Sequence, residues 1–298
     1  MTHVNVKFVN GATLNLADLA PGAVALDGCV QGPVMGDEQD RWSFDHHADC
    51  HRMITQATCE QVLTATRLGF KWEGRDIWVN DLDGDTILSL YIVHLAVTGQ
   101  LEAETTLTDL VRGVGMMDAH GPAAAVLLSG DEPNLVNAFY QSIIYPTLGR
   151  NVQERFGEWQ ALIETCNGLL DQLLQGEVPE TQSAEEPIES MIHIKKVGNL
   201  TLTIAECVGF GGFKTLYLKG YDVVILTTGA ADGSARYTVG KVSDLVRFDL
   251  TALLAALNEL EPGWGGGSSI GGSPRLEGGV SSRLSPTEVF DLACKIAG

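Results

Sequence analysis

The segment WSFDHHADCH, residues 42–51, places one aspartate and two adjacent histidines, Asp45, His46 and His47, directly after a short apolar run. Carboxylates and imidazoles bind metal ions, and imidazole exchanges protons near neutral pH. Neighbouring side chains on a strand point to opposite faces, so one imidazole can enter a site while the other lies beside it. The alternative is that the segment is only a polar surface loop.

Further acidic residues follow a similar pattern. NDLDGDT contains Asp81, Asp83 and Asp85 at alternate positions, and three carboxylates this close repel one another unless a cation or several donors neutralise them. A helix N-cap or a calcium loop is the alternative, although the distal glutamate of a calcium loop is missing. Asp27 in GAVALDGC and Asp118 in GVGMMDAHGP are ordinary turn or helix-end residues in isolation, but four such clusters together are less easily a coincidence.

The combined groups predict a metal site. Carboxylate and imidazole ligands without a thiolate favour Mn²⁺ or Mg²⁺, with Co²⁺ and Zn²⁺ as further options. The number of carboxylates favours two ions over one. Two ions about 3.5–4 Å apart can generate hydroxide and stabilise the entering and leaving oxygens of phosphoryl transfer.

The elements that must position these residues alternate between strands and helices. GAVALDGC (22–29), DRWSFDHH (40–47) and DIWVNDL (76–82) are typical of strands, whereas 58–70 and 86–97 have helical patterns. This alternation predicts an α/β fold with a parallel sheet and helices on both faces. Ligands of such sheets bind beyond the carboxyl ends of the strands, where the acidic and histidine residues lie.

The second half has a different pattern. A helical stretch from about 152 to 174 precedes the acidic, proline-containing segment 175–190, which we interpret as a linker. Strands are expected within 191–210, 214–229 and 235–250, followed by a helix at 251–260. We therefore predict a metal-binding domain over 1–174 and a smaller α+β domain over 191–298.

Composition excludes several classes of function. A formal net charge of -19 and the lack of a basic run argue against binding long duplex nucleic acid, although bound cations would still admit a small phosphorylated ligand. No run of 18 or more apolar residues occurs, so no membrane association is expected. The N-terminus lacks a signal-peptide pattern, and the 6 cysteines lack C-x-x-C spacing, which predicts reduced thiols in the cytoplasm.

Several of these segments resemble motifs of the DHH phosphoesterases. This family includes family II inorganic pyrophosphatases, single-strand exonucleases, and enzymes that degrade oligoribonucleotides or cyclic dinucleotides. FDHHADC followed by ATCEQVL resembles the signature, and ALDG, DLDGDTILS and MMDAHGP are similar to the family's other aspartate elements. WGGGSSIGGSPRLEGGVSS is similar to the glycine-rich loop of the DHH-associated second domain. The motif order is permuted, because the family's aspartate-x-aspartate element normally precedes the DHH strand.

The resemblance implies a metal site with a defined ligand set. The implied metal ligands are Asp27, His46 and Asp118, with two of Asp81, Asp83 and Asp85. The family also has a histidine shortly before its aspartate-x-aspartate element, where this chain has Val79 or Asn80. The candidates to complete the site in its place are His3, His51 and His120.

The resemblance also implies catalytic roles for two neighbours of His46. Asp45 would orient His46 through a hydrogen bond behind the metal-bound imidazole. His47 would contact the substrate phosphate or assist the leaving group, and a metal-activated water would attack phosphorus.

The glycine-rich segment has two interpretations. A flexible linker is one, but only a short helix follows it, with Ser285 as N-cap, Pro286 at the first position and Glu288 closing a capping box. Glycines also let backbone N–H groups approach phosphate oxygens, and an arginine can hold a phosphate through two bonds. The expected substrate contacts are Gly266, Gly267, Ser268, Gly272, Ser273 and Arg275, although this chain has Ser268-Ser269 where the family often has a histidine.

We therefore expect a cytoplasmic two-domain hydrolase with Mn²⁺ as cofactor, in two ions, and Mg²⁺ or Co²⁺ as alternatives. It would cleave a phosphodiester, phosphomonoester or phosphoanhydride bond of a small nucleotide or short oligonucleotide. The alternatives are an inorganic pyrophosphatase and a non-catalytic nucleotide-sensing protein with an incomplete metal site. A homodimer is among the assembly states to consider.

Overall fold

The computed structural model describes residues 5–51, 53–101, 105–128, 132–148, 158–177, 188–207, 211–229, 233–274 and 282–298. The chain forms two compact units: Met1–Ala119 with Leu128–Ser183, and His120–Leu127 with Ala184–Gly298. The division falls within the segment interpreted as a linker, of which 178–187 lie outside the described residues. His120–Leu127 groups with the second unit, although the sequence analysis assigned it to the first.

A parallel sheet of four strands forms the centre of the first unit, as the α/β prediction required. The strands are β1 (Asn5–Phe8), β2 (Val24–Leu26), β3 (Trp42–Phe44) and β4 (Asp76–Val79), in the order β1-β4-β2-β3. Each neighbouring pair is parallel. The carboxyl ends of β2, β3 and β4 therefore lie at one edge of the sheet. The sequence analysis did not foresee β1.

Helices pack with this sheet. They are α1 (Thr58–Arg67), α2 (Gly84–Thr98), α3 (Thr105–His120), α4 (Glu132–Phe139), α5 (Tyr145–Thr147) and α6 (Trp159–Leu174). Buried side chains of strands and helices form one core, among them Val24, Ile77, Val62, Ile92 and Leu110. Nearly all of α2 is buried, which explains its apolar sequence on all sides.

The strand that carries the histidines is anchored by aromatic packing. Trp42 meets Phe70 edge-on with ring centroids 4.9 Å apart, and Phe44 lies 5.7 Å from Trp72. Aromatic pairs at these distances add to the stability from burial alone. Because β3 is an edge strand, these contacts hold it in register with β2, where Leu26 is paired with Phe44.

The second unit contains a mixed six-stranded sheet. Its strands are β5 (Ile188–Val197), β6 (Leu200–Cys207), β7 (Val223–Gly229), β8 (Ala235–Lys241), β9 (Gly265–Gly266) and β10 (Ile270–Gly272), in the order β5-β6-β7-β8-β10-β9. Only β6 and β7 pair in parallel. Three helices accompany it, α7 (Gly211–Leu218), α8 (Leu250–Leu260) and α9 (Pro286–Ala297).

Two local predictions have opposite outcomes. The capping box at the start of α9 is confirmed: the Glu288 amide donates to the Ser285 hydroxyl at 3.3 Å, and the Ser285 amide donates to Glu288 at 2.8 Å. The prediction of a strand from residue 214 is wrong, since Lys214–Leu218 is helical. Phe213, Leu216 and Tyr217 are spaced three and four apart and pack on the sheet, and this helical spacing outweighs the β-favouring side chains.

The glycine-rich segment is part of the sheet over its described residues. Gly267 donates its amide to the Ile270 carbonyl at 2.8 Å and so closes the β9–β10 hairpin. A Cβ on Gly271 would lie 2.5 Å from the Leu254 side chain, and one on Gly272 would lie 2.9 Å from the Tyr237 carbonyl. Close packing therefore explains Gly271 and Gly272 without any ligand.

Within the described part of the chain, no helix combines the length and the apolar character needed to cross a bilayer.

This packing predicts that Gly271→Ala destabilises the protein. The added methyl would overlap Leu254, and overpacking of this kind costs about 1–3 kcal/mol. Gly267→Ala is the matched control from the same hairpin, because its Cβ would meet nothing closer than 4.0 Å. Thermal unfolding followed by circular dichroism compares the two variants. Equal melting temperatures for both would contradict the described packing.

Candidate metal centre

His46 lies at the middle of a group of carboxylates beyond the sheet edge. It follows β3 after one residue and is fully buried. Its Nε2 atom lies 2.7 Å from Asp118 Oδ2, 3.6 Å from Asp27 Oδ1 and 3.7 Å from Asp85 Oδ2. We call these four residues the acidic cluster. Neither ring nitrogen of His46 makes a hydrogen bond of regular geometry with any described residue.

Asp27 reaches the cluster from a strained turn. It follows β2 and has a φ of 51°, a left-handed conformation that side chains other than glycine adopt rarely. The next residue, Gly28, also has a positive φ of 73°, and the Cys29 amide donates to the Leu26 carbonyl across the turn. Strain of this kind persists only where the surroundings fix the conformation, and it concentrates at functional sites.

Two threonines hold the Asp27 carboxylate in place. The Thr58 hydroxyl donates to Oδ1 at 3.0 Å, and the Thr86 hydroxyl donates to Oδ2 at 3.1 Å. Thr58 begins α1 and Thr86 lies in the first turn of α2. Asp27 is therefore placed between the N-terminal ends of two helices, where the helix dipoles stabilise negative charge.

Asp85 is bound by the N-terminus of α1. The amides of Thr58 and Cys59 donate to its two carboxylate oxygens at 2.8 and 2.7 Å. This arrangement has a structural function of its own, because the first amides of a helix have no partner within it. Each carboxylate oxygen can accept a second bond, so Asp85 can cap α1 and also bind a cation.

The remaining aspartates of the NDLDGDT segment do not share one environment. Asp83 is the N-cap of α2 and accepts from the Thr86 amide at 2.9 Å, as the capping alternative predicted. Asp81 is exposed and accepts from the amide of Leu82 at 2.7 Å. The structure does not bring Asp81 into the cluster, because its side chain lies before the helix and faces solvent.

Asp45 does not orient His46, contrary to the role expected from the sequence. Its carboxylate pairs with His47 instead: Oδ1 lies 2.9 Å from His47 Nδ1 and accepts from the His47 amide at 3.0 Å. Oδ2 accepts from the Gly32 amide at 2.9 Å. The His47 side chain is 40% exposed and its Nδ1 also lies 3.5 Å from Asp27 Oδ1. The two adjacent imidazoles thus have different environments, one buried and one open to solvent.

The charges of the cluster are not balanced by the protein alone. Burial raises the pKa of Asp85 to about 7, with further contributions from the charges of Asp27 and Asp118. The pKa of Asp83 is raised for the same reasons. Burial would lower the pKa of His46, but its contacts with Asp118 and Asp27 and the charge of Asp85 outweigh this effect and raise it to about 10. The cluster therefore attracts positive charge, either protons or a cation.

Asp45 behaves in the opposite way. Burial alone would raise its pKa, but hydrogen bonds from the His47 ring and amide and from the Gly32 amide lower it to about 2. Asp45 is therefore ionised at neutral pH and can hold the proton of His47 on Nδ1.

The donor set fits a divalent cation. Ligands about 2.1 Å from an ion lie roughly 3–4 Å apart. His46 Nε2 lies 3.6 Å from Asp27 Oδ1 and 3.7 Å from Asp85 Oδ2, as this requires, whereas its 2.7 Å distance from Asp118 Oδ2 is shorter. Among the residues that the structure describes, two groups of side chains could hold one ion: Asp27 with His46 and His47, and His46 with Asp85 and Asp118. Oxygen ligands with imidazole suit Mn²⁺ or Mg²⁺ in general.

Other predicted site residues lie elsewhere. His51 is exposed and its Nδ1 accepts from the Met53 amide at 3.3 Å, while His3 and Arg275 lie outside the described residues. His120, the last residue of α3, belongs to neither metal-compatible group.

In the second unit, Gly266, Gly267 and Ser268 are exposed at the β9–β10 hairpin. Ser273 is buried and its hydroxyl accepts from the Tyr237 amide at 3.0 Å, which is a structural role.

The sequence analysis missed the residues that support the cluster. Thr58 and Thr86 were not singled out. A threonine in the first turn of a helix that follows a strand could have been predicted to hydrogen-bond an aspartate at a neighbouring strand end. Tyr140 was missed as well: its hydroxyl lies beside Gly84 at the start of α2, and burial and the charges of Asp83 and Asp118 raise its pKa. It lies more than 20 residues beyond Asp118, and no local pattern indicates this.

Comparison with known proteins gives no family for the chain: no protein-family model and no curated protein matches it.

The raised pKa values predict that Mn²⁺ binding releases protons. At pH 7 we expect release of about one proton or more, since His46 and Asp85 must lose theirs to bind a cation. Affinity should therefore fall as the pH is lowered from 8 to 6, by about tenfold per pH unit for each proton released. Isothermal titration calorimetry in two buffers of different ionisation enthalpy measures the number of protons. Binding without proton release would show that the cation binds elsewhere.

Proposed function

We propose that this protein is a divalent-metal-dependent phosphoesterase that acts on a small nucleotide or a short oligonucleotide. The observation that carries the proposal is the position of His46 Nε2, buried within 3.7 Å of carboxylate oxygens from three separate chain segments. The resemblance of FDHHADC and the aspartate elements to the DHH phosphoesterases supports it further. Mn²⁺ is the proposed cofactor.

Separate residues would bind the cation and transfer the proton. Asp27, His46, Asp85 and Asp118 would hold the cation, which would polarise a phosphoryl oxygen and acidify water at the site. Asp45 keeps the proton of His47 on Nδ1, which leaves Nε2 of this half-exposed ring to meet the substrate. His47 is thereby positioned to donate a proton to, or accept one from, an oxygen of the phosphoryl group.

A second candidate is a nucleotide-sensing protein without catalysis. The observation that favours it is that both oxygens of Asp27 and of Asp85 already accept hydrogen bonds from the helix starts. In that case the cluster would be a capping arrangement for α1 and α2. An inorganic pyrophosphatase, by contrast, would use the same cluster with a different substrate.

The enzyme proposal predicts Mn²⁺-dependent hydrolysis of bis(p-nitrophenyl) phosphate or of a substrate among dinucleotides, 3′,5′-bisphosphates and pyrophosphate. Asp118→Asn and His46→Asn should lower kcat/KM by at least about 100-fold, because loss of a ligand affects affinity and activity at least as strongly as loss of its supporting residues. Asp81→Asn is the matched control: it removes one carboxylate from the same sequence region but outside the cluster, and activity should be unchanged.

Two outcomes separate the alternatives. Nucleotide binding without turnover, under any divalent metal, would support the sensor and refute the enzyme. Turnover of pyrophosphate alone would assign the pyrophosphatase reaction. Equal activity of Asp118→Asn and the wild type would place the active site elsewhere.

A further inference from the structure

A π-helical turn beside the acidic cluster places a tyrosine over the start of α2. The turn covers Tyr140–Ile144 and joins α4 to α5. A π-helical turn contains one more residue than an α-helical turn, is rare, and occurs frequently at functional sites. Tyr140 is its first residue, and its ring packs against Phe139 and Tyr145 with centroids 5.3 and 5.7 Å apart.

The hydroxyl of Tyr140 lies against Gly84, between Asp83 and Asp85. A Cβ on Gly84 would be only 2.6 Å from this oxygen and 2.9 Å from the ring carbon that bears it. Any side chain at residue 84 would therefore displace the phenol. Since Gly84 is the first residue of α2, its glycine is explained by the close approach of Tyr140 and not by a turn.

Packing does not explain why this residue is a tyrosine. Phenylalanine would fill the same space, and the hydroxyl of this half-buried side chain is the only group that a tyrosine adds there. The hydroxyl beside Gly84 is also within reach of the charges of Asp83, Asp118 and Asp85, so carboxylates surround it. A neutral phenol is a donor at physiological pH, and an anionic ligand among carboxylates needs donors.

We propose that the Tyr140 hydroxyl donates a hydrogen bond to a phosphoryl oxygen of the substrate held at the acidic cluster. This inference rests on the proposed phosphoesterase function and adds a substrate-positioning residue to it. Tyr140 complements His47, because the two side chains come from different parts of the first unit and both approach the cluster. The donor compensates part of the repulsion between the phosphoryl group and the aspartates.

The test uses the full chain loaded with Mn²⁺ and inorganic phosphate as the ligand. Tyr140→Phe keeps the ring and removes only the hydroxyl, so Mn²⁺ affinity should be unchanged while the Kd for phosphate rises roughly tenfold or more, as for a lost hydrogen bond to a charged group. Tyr145→Phe is the matched control, from a tyrosine whose side chain is 51% exposed, and should bind phosphate like the wild type. Gly84→Ala should reproduce the loss of phosphate affinity with Tyr140 intact.

Each outcome has a separate meaning. Unchanged phosphate affinity in Tyr140→Phe overturns the inference and leaves the phosphoesterase proposal standing. Loss of Mn²⁺ binding together with phosphate binding in Tyr140→Phe also overturns it, since the hydroxyl would then support the cluster and not the substrate. No phosphate binding by the Mn²⁺-loaded wild type overturns the proposed function itself.

Discussion

The concentration of negative charge at one edge of the parallel sheet is the constraint on which the first unit depends. Carboxylates of Asp27, Asp85 and Asp118 meet around one buried imidazole, and burial of charge is costly unless each charge is paired or hydrogen-bonded. The helix starts supply part of the compensation through Thr58 and Thr86. The parallel topology places the starts of α1 and α2 at this edge, and their threonines hold the Asp27 carboxylate at its left-handed turn.

The hydrogen bonds from the helix starts compensate only part of the buried negative charge. If the cluster served only to cap two helices, the amides of α1 would be expected to hold the pKa of Asp85 low, as hydrogen bonds hold that of Asp45 at about 2. The pKa of Asp85 is instead raised to about 7 by burial and by neighbouring carboxylates. A structural cap alone does not require so many carboxylates, whereas the proposed cation site would use them.

Much of the first unit could be predicted from the sequence, because its signals are local. Alternating strands and helices indicated the parallel sheet, and strand ends indicated Asp27, His46 and Asp85.

The sequence did not predict features that depend on contacts between residues far apart in the chain. The partner of Asp45 could not be predicted, since Asp45, His46 and His47 are adjacent and only the backbone path after β3 decides which ring meets the carboxylate. Tyr140 depends on a π-helical turn and a close approach to Gly84, neither of which has a sequence period. Lys214–Leu218 shows the same limit, because β-favouring side chains there pack with helical spacing.

The order of strands in the sheet explains how residues far apart in the chain gather at one edge. β4 follows β3 in the chain but lies next to β2 in the sheet, so the Asp83–Asp85 segment lies beside Asp27 despite more than 50 intervening residues. In a parallel sheet the carboxyl ends of all strands lie at the same edge, whatever the order of the strands along the chain. What the chemistry requires is adjacency of strand ends. The pairing of β2 with both β3 and β4 supplies this adjacency, and Asp27, at the end of β2, therefore lies between the histidines and the aspartates of α2.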